Sequence, residues 1–183
     1  HAREYISTNF LMYMVDRYAM SYLWRETIDN KYDVKDLLDK VTFIVVPMIN
    51  PDGVNLVQNG YESTKDPAFV RSLPVTDGIG HRSWKSNING VDLNQNFPVL
   101  WQTNSKLPSS AGYSGPKAAS EPETKAMVEL FDSTDFELMA SFHTQGEVIY
   151  WMDANCDEKL RKTSEKYINR VCEETGYLKM PSD

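Results

Sequence analysis

Residues 4–24 carry apolar side chains at Leu11, Met14, Val15, Tyr18 and Tyr22, three- and four-residue steps that predict an amphipathic helix starting at the tetrapeptide His-Ala-Arg-Glu. Residues 41–48 (VTFIVVPM) are an almost unbroken apolar run rich in β-branched side chains, the composition of a strand buried on both faces. Asn50-Pro51-Asp52-Gly53 breaks that run, so it is expected to lead into a loop. Residues 59–119 are rich in Gly, Pro, Ser and Asn without long periodicity, and predict loops that surround a site. Ser120 and Glu123 have the spacing of a capping box, opening a helix with Met127, Val128 and Phe131 on its apolar face. Residues 136–142 and 147–151 predict strands on either side of His143-Thr144-Gln145-Gly146, and residues 158–175 predict a helix stopped by Gly176.

Helices alternating with apolar strands imply an α/β layer fold, in which sites gather beyond the carboxyl ends of strands. His143 stands at such an end. A chain of 183 residues is expected to form one domain over 1–183, and no repeat or low-complexity tract interrupts it. With 19 basic against 26 acidic residues the net charge is −7, which argues against nucleic acid or an anionic membrane as partner and is compatible with a small or cationic peptide. The apolar run at 41–49 is too short to span a bilayer, and no basic-then-apolar leader precedes it. Cys156 and Cys172 belong to no paired-cysteine metal pattern and read as small apolar side chains.

His1 and Glu4 lie three apart at a helix mouth, so one turn can aim an imidazole and a carboxylate at one point. Zinc accepts both donor types, and catalytic zinc sites use three protein ligands. A third ligand would come from His81 or His143. His143 is the better placed, following an apolar strand, whereas His81 sits in a glycine-rich loop beside Arg82. Taken singly, the His-Glu pair is more often a solvated helix start and a lone histidine such as His143 more often structural than a ligand.

Five ordered segments change that balance: HARE at 1–4, NPDG at 50–53, NGVDLNQNFP at 89–98, YSGPKAASEPET at 113–124 and SFHTQGE at 141–147. Together they resemble the zinc carboxypeptidase family. The resemblance implies a mixed, mostly parallel sheet flanked by helices, truncated here at both ends, with one Zn2+ held by His1, Glu4 and His143. It places Asp92 behind His1, accepting from its other nitrogen. It gives Arg3, Asn94 and Gln95 to substrate binding, and Lys85 to stabilising the oxyanion where many relatives have arginine. A domain seldom starts at a metal ligand, so His1 reads as a boundary within a longer chain.

Two departures from the family bear on function. Gln95 stands where carboxypeptidases usually carry an arginine that clamps a free C-terminal carboxylate, and losing that charge-assisted bond weakens the case for ordinary C-terminal trimming. Trp84-Lys85 and the flanking motifs instead resemble the bacterial γ-D-glutamyl-diamino acid peptidases, whose substrates are peptidoglycan stem peptides. The family's general base lies well beyond the third ligand, and none of Glu147, Glu158, Glu165, Glu173 or Glu174 matches its place. The chain alone is therefore expected to bind zinc and part of a peptide or muropeptide without turning it over. The alternatives are a carboxypeptidase acting on ordinary peptide C-termini and a non-catalytic zinc- or peptide-binding module. Oligomeric state is not readable from the sequence.

Overall fold

The computed structural model describes residues 1–74, 78–104, 106–153 and 156–182, in two compact units comprising residues 1–143 and 144–183. In the first unit a 3-10 turn, Ala2–Glu4, feeds helix α1 (Ile6–Trp24), where the apolar spacing predicts it. Arg25 closes α1 in the left-handed conformation, its N–H bonding to the carbonyls of Ser21 and Tyr22. Of the predicted stripe, Leu11, Met14 and Tyr22 are half-buried while Val15 and Tyr18 are exposed. A short antiparallel hairpin follows, β1 (Thr27–Ile28) and β2 (Tyr32–Asp33), then helix α2 (Val34–Leu38), capped by the Asp33 carboxylate accepting from the Asp36 amide.

Residues 41–48 and 136–142 are not strands, contrary to the hydropathy reading. A strand needs a neighbour to complete its ladder of N–H and C=O groups, and among the described residues no segment pairs with either stretch. Val41, Phe43, Ile44 and Val45 accordingly stand exposed, and Thr8 Oγ1 donating to the Pro47 carbonyl at 2.6 Å ties the end of that stretch to α1. Asn50-Pro51-Asp52-Gly53 opens not a loop but helix α3 (Pro51–Asn59). The Asn50 side chain caps it by accepting from the Gly53 amide at 3.0 Å, and proline at the first helical position supplies a φ that suits the turn.

Helix α3 carries the apolar core. Leu56 and Val57 pack with Ala2, Val70 of helix α4 (Pro67–Ser72) and Trp84, bordered by Tyr61, Leu73 and Ile88. The Trp84 indole N–H donates to the Asn87 carbonyl at 3.0 Å, so the largest core side chain is also fixed in rotation. The segment from Trp84 to helix α5 (Pro122–Ser133) is irregular, as expected, but it is not peripheral: Asn87, Asp92 and Asn96 are fully buried within it. The expected capping box does not form. Glu121 is the cap residue, and its carboxylate accepts from Ser120 Oγ, Asn87 Nδ2 and Asn89 Nδ2 instead of from the helix.

The second unit is a β-α-β arrangement. Strand β3 (Val148–Asp153) pairs in parallel with β4 (Leu178–Ser182), in the register Val148↔Leu178 and Ile149↔Lys179, with an irregularity between Tyr150 and Asp153. Helix α6 (Glu158–Thr175) connects them as the sequence predicts, capped by Asp157 and terminated at Gly176 with φ +73°. Cys156 and Cys172 are both free thiols, half-buried. The mixture of helix and strand agrees with the expected class; the described sheets are one antiparallel and one parallel pair. Among the described residues no helix is long and apolar enough to cross a membrane.

Candidate metal centre

Two donors from one turn, His1 and Glu4, meet a third from far along the chain, His143, in the first unit. The Ala2–Glu4 turn is closed by the Glu4 amide bonding to the His1 carbonyl, and pinned by the Ala2 amide donating to the Lys85 carbonyl, both at 3.0 Å. Ala2 is fully buried in the core, so the turn cannot slide, and its two polar flanks project His1 and Glu4 to one side. His143 comes to the same place at the end of the 136–143 stretch, where Phe142 packs its ring 5.6 Å from that of Phe10 on α1.

The Glu4 carboxylate lies between the two imidazoles, Oε1 at 2.9 Å from His1 Nδ1 and Oε2 at 2.8 Å from His143 Nδ1. The ring centroids of the two histidines are 4.8 Å apart. His1 and Glu4 are nearly buried, at 8% and 7% side-chain exposure, while His143 is open at 39%. Behind His1, Nε2 stands 3.2 Å from Asp92 Oδ1, a contact too poorly aligned to count as a hydrogen bond. Asp92 is fully buried and receives the Lys85 ammonium at 2.8 Å, the Gly112 amide at 2.8 Å and the Asn94 amide at 3.2 Å.

These contacts set the charge states. Burial works against the imidazolium of His1, but the adjacent carboxylates of Asp92 and Glu4 outweigh it and raise its pKa. Burial also works against both carboxylates; nonetheless the hydrogen bonds from His1 and His143 hold Glu4, and the nearby His1 imidazole with the Lys85 ammonium holds Asp92, far below the usual carboxylate range. A second acidic pair lies at the start of α5. Burial, with Glu121 and Asp52 nearby, raises the Glu123 carboxyl, although Asn87 Nδ2 donates to both Glu121 and Glu123.

Among the described residues, His1, Glu4 and His143 are the group whose ligand-type atoms converge, all within 4.8 Å of one another. Two imidazoles and one carboxylate are a zinc donor set of the catalytic type, and a buried ring nitrogen backed by a carboxylate is the usual support for such a ligand. His81, the other candidate third ligand, instead packs edge-on against Tyr61 with centroids 5.6 Å apart. Arg3 donates through Nη1 to the Ser83 carbonyl at 3.1 Å and, with Tyr5, Val57, Gln58 and Arg82, lines a cavity of about 410 Å³. Asn94 and Gln95 form the exposed 3-10 turn Leu93–Gln95 directly after Asp92. Sequence reasoning assigns no role to Asn87 or Asn96, although asparagine is dense in residues 87–96 and Asn96 lies within the segment 89–98.

Residues 1–177 match the zinc carboxypeptidase family model, and the chain belongs to that family. Zinc is the family's metal, and the His1–Glu4–His143 group suits it chemically. Gamma-D-glutamyl-L-diamino acid endopeptidase 1 of Lysinibacillus sphaericus is 36% identical over 97% of this chain, covering 45% of its own length. Mast cell carboxypeptidase A of Rattus norvegicus is 31% identical over 81% of the chain and 33% of its own length. The uncharacterized protein YqgT of Bacillus subtilis is 35% identical over 82% of the chain and 41% of its own length. The chain thus spans less than half the length of these relatives. No solved structure matches it.

Proposed function

We propose that the chain carries the zinc centre and part of the substrate cleft of a metallopeptidase that hydrolyses a peptide bond with metal-activated water, its substrates being cell-wall stem peptides. The observation that carries this reading is the convergence of His1, Glu4 and His143 in a member of the zinc carboxypeptidase family. When bound, zinc supplies Lewis-acid polarisation of the scissile carbonyl and activates water near neutral pH.

The chain's own groups do the remaining work. His1, Glu4 and His143 are the metal ligands, and Asp92 orients His1 from behind. An ammonium has three N–H groups, and one of Lys85's goes to Asp92, so further donors remain for a developing oxyanion. Arg3, Asn94 and Gln95 hold the substrate. The general base is assigned to none of the second unit's glutamates: Glu158, Glu165, Glu173 and Glu174 pair with Lys162, Lys179 and Arg170, and Glu147 is exposed at φ +49°. The parallel β3–β4 pair supports reading the chain as part of a mostly parallel, helix-flanked sheet.

The stem-peptide substrate rests on the name of the L. sphaericus relative and on Gln95, an uncharged residue where a C-terminal carboxylate clamp would need a cation. The similarity to mast cell carboxypeptidase A favours the second reading, action on ordinary peptide C-termini. Assaying the protein expressed from its complete gene against a γ-D-glutamyl-diaminopimelate peptide and a hippuryl substrate separates the two. Preference for the hippuryl substrate would reverse the order of these readings. The zinc-loaded 183-residue chain is expected to stay at background, since loss of a general base alone costs roughly 10²- to 10⁴-fold. Turnover that disappears in Glu147→Gln would instead make Glu147 the base.

A further inference from the structure

We propose that Lys85 is a positioning residue of the metal centre, fixing Asp92 and through it the orientation of His1, and so setting the affinity for zinc. Lys85 grips the ligand-bearing turn from two sides. Its carbonyl accepts from the amide of Ala2, the residue immediately after His1, and its ammonium holds the carboxylate that faces the outer nitrogen of His1.

The division of labour on Asp92 makes the side-chain grip specific. Oδ1 faces His1 Nε2 and the Asn94 amide, both at 3.2 Å, which is long for charge-assisted bonds. Oδ2 receives two short bonds at 2.8 Å, from the Lys85 ammonium and the Gly112 amide. The orientation of the carboxylate is therefore determined at Oδ2, and the contact with His1 follows from it. Taking away Lys85 leaves the carboxylate held only by the Gly112 amide at Oδ2 and the long Asn94 bond at Oδ1, and leaves a fully buried anion without its cation, so its orientation toward His1 loosens and the support of His1 weakens. An oxyanion role for Lys85 would act on a substrate; this one acts on the metal before any substrate arrives.

The inference rests on His1 being a zinc ligand, and the test separates the two ideas. Zinc dissociation constants are measured by chelator competition for the parent chain, Lys85→Met, Lys85→Arg, Asp92→Asn and the Lys85→Met/Asp92→Asn double variant, with zinc-free unfolding midpoints in parallel. Lys85→Met is expected to weaken zinc binding about tenfold, within the range for groups that support a ligand. Lys85→Arg is expected to restore it to near the parent value. In the Asp92→Asn background the Lys85 substitution should add little further loss, because its target is gone. If Lys85→Met fails to fold, Lys85→Gln keeps a donor without the charge and should show a smaller loss in the same direction. Unchanged zinc affinity in either neutral variant, or losses that simply add in the double variant, overturns the positioning role. A parent chain that does not bind zinc, or binds it equally after His143→Ala, overturns the zinc reading itself.

Discussion

The segment from Trp84 to Thr124 has almost no apolar periodicity, yet it holds Trp84, Ser86, Asn87, Val91, Asp92, Asn96, Ser109, Ser114, Glu121 and Thr124 as buried side chains. Residues 6–49 are far more apolar and bury only Ser21 and Val34. The first region orders itself with side-chain-to-backbone hydrogen bonds. Asn87 Oδ1 accepts from the amides of Asn89 and Val91, while Asn96 directs its Nδ2 to the carbonyls of Ser114 and Lys117 and accepts from the Glu121 amide at Oδ1. Such bonds satisfy buried backbone groups without a ladder, which is what an irregular interior segment requires. Apolar pattern in the second region marks faces able to be covered, and coverage needs a partner that periodicity does not specify.

The largest expected effect is at the one bulky side chain the two modes of burial share. Trp84→Ala should destabilise the first unit by about 3–5 kcal/mol, measured by denaturant unfolding, because it opens a cavity and leaves the Asn87 carbonyl with the Gly90 amide but without the indole donor. A loss below about 1 kcal/mol would mean that the hydrogen-bonded segment stands without the apolar core. Asn96→Ala comes next, at about 2–3 kcal/mol. Ser114 O keeps the Trp101 indole, but the Lys117 carbonyl and Glu121 amide are left unpaired. A near-neutral result there would break the claim that polar bonds hold this region.

Zinc at a hundredfold excess over its dissociation constant should stabilise the chain by about 2.7 kcal/mol, read as a rise in unfolding temperature. The pH dependence has opposite signs with and without metal. The folded pKa of His1 is raised, so in the zinc-free chain its contribution is complete below about pH 6.5 and is lost as pH climbs through the folded value. Zinc must displace that proton, so its affinity should fall as pH drops through the same range. An affinity independent of pH between 5 and 8 would remove His1 from the ligand set. The smallest effect is expected at Ile44→Ser, within about 0.5 kcal/mol, since Ile44 is 48% exposed. A loss of 2 kcal/mol or more would show that the apolar stretch is covered in solution.

How much of this the sequence disclosed depends on how local the signal is. Helices α1 and α6 are readable from three- and four-residue spacing and, for α6, from Gly176, because the determinants sit within the element. The start of α3 is readable too: Asn50 as cap and Pro51 after it are helix-start signals, but Asn-Pro and Asp-Gly are equally turn signals, so the tetrapeptide is locally ambiguous. Residues 41–48 and 136–142 misled because a strand is a property of a pair of segments. His1 and Glu4 could be coupled from spacing alone; the local preference for His143 over His81 rests on a strand at 136–142 that does not form, so the family motif is what joins His143 to them. The grip of Lys85 on Asp92 was not readable from their spacing, because it depends on how Gly112 and Tyr113 return to the same place.

That return has a consequence for how the chain can vary. The Asp92 amide bonds to the Tyr113 carbonyl at 2.9 Å, and the Ser109 amide bonds to the Gly90 carbonyl, so the excursion between them is stapled at its base. Gly90 permits the staple: at φ +79° a side chain would bring Cβ to 2.7 Å from the Ser109 amide nitrogen. Beyond it, Pro98, Val99 and Leu100 are exposed. Lengthening a loop whose ends are already held is inexpensive, about 0.6 kcal/mol for each doubling. The tip near Val99 is therefore a place where insertions can accumulate, or a reporter peptide be grafted, while the carboxylate behind His1 keeps its position.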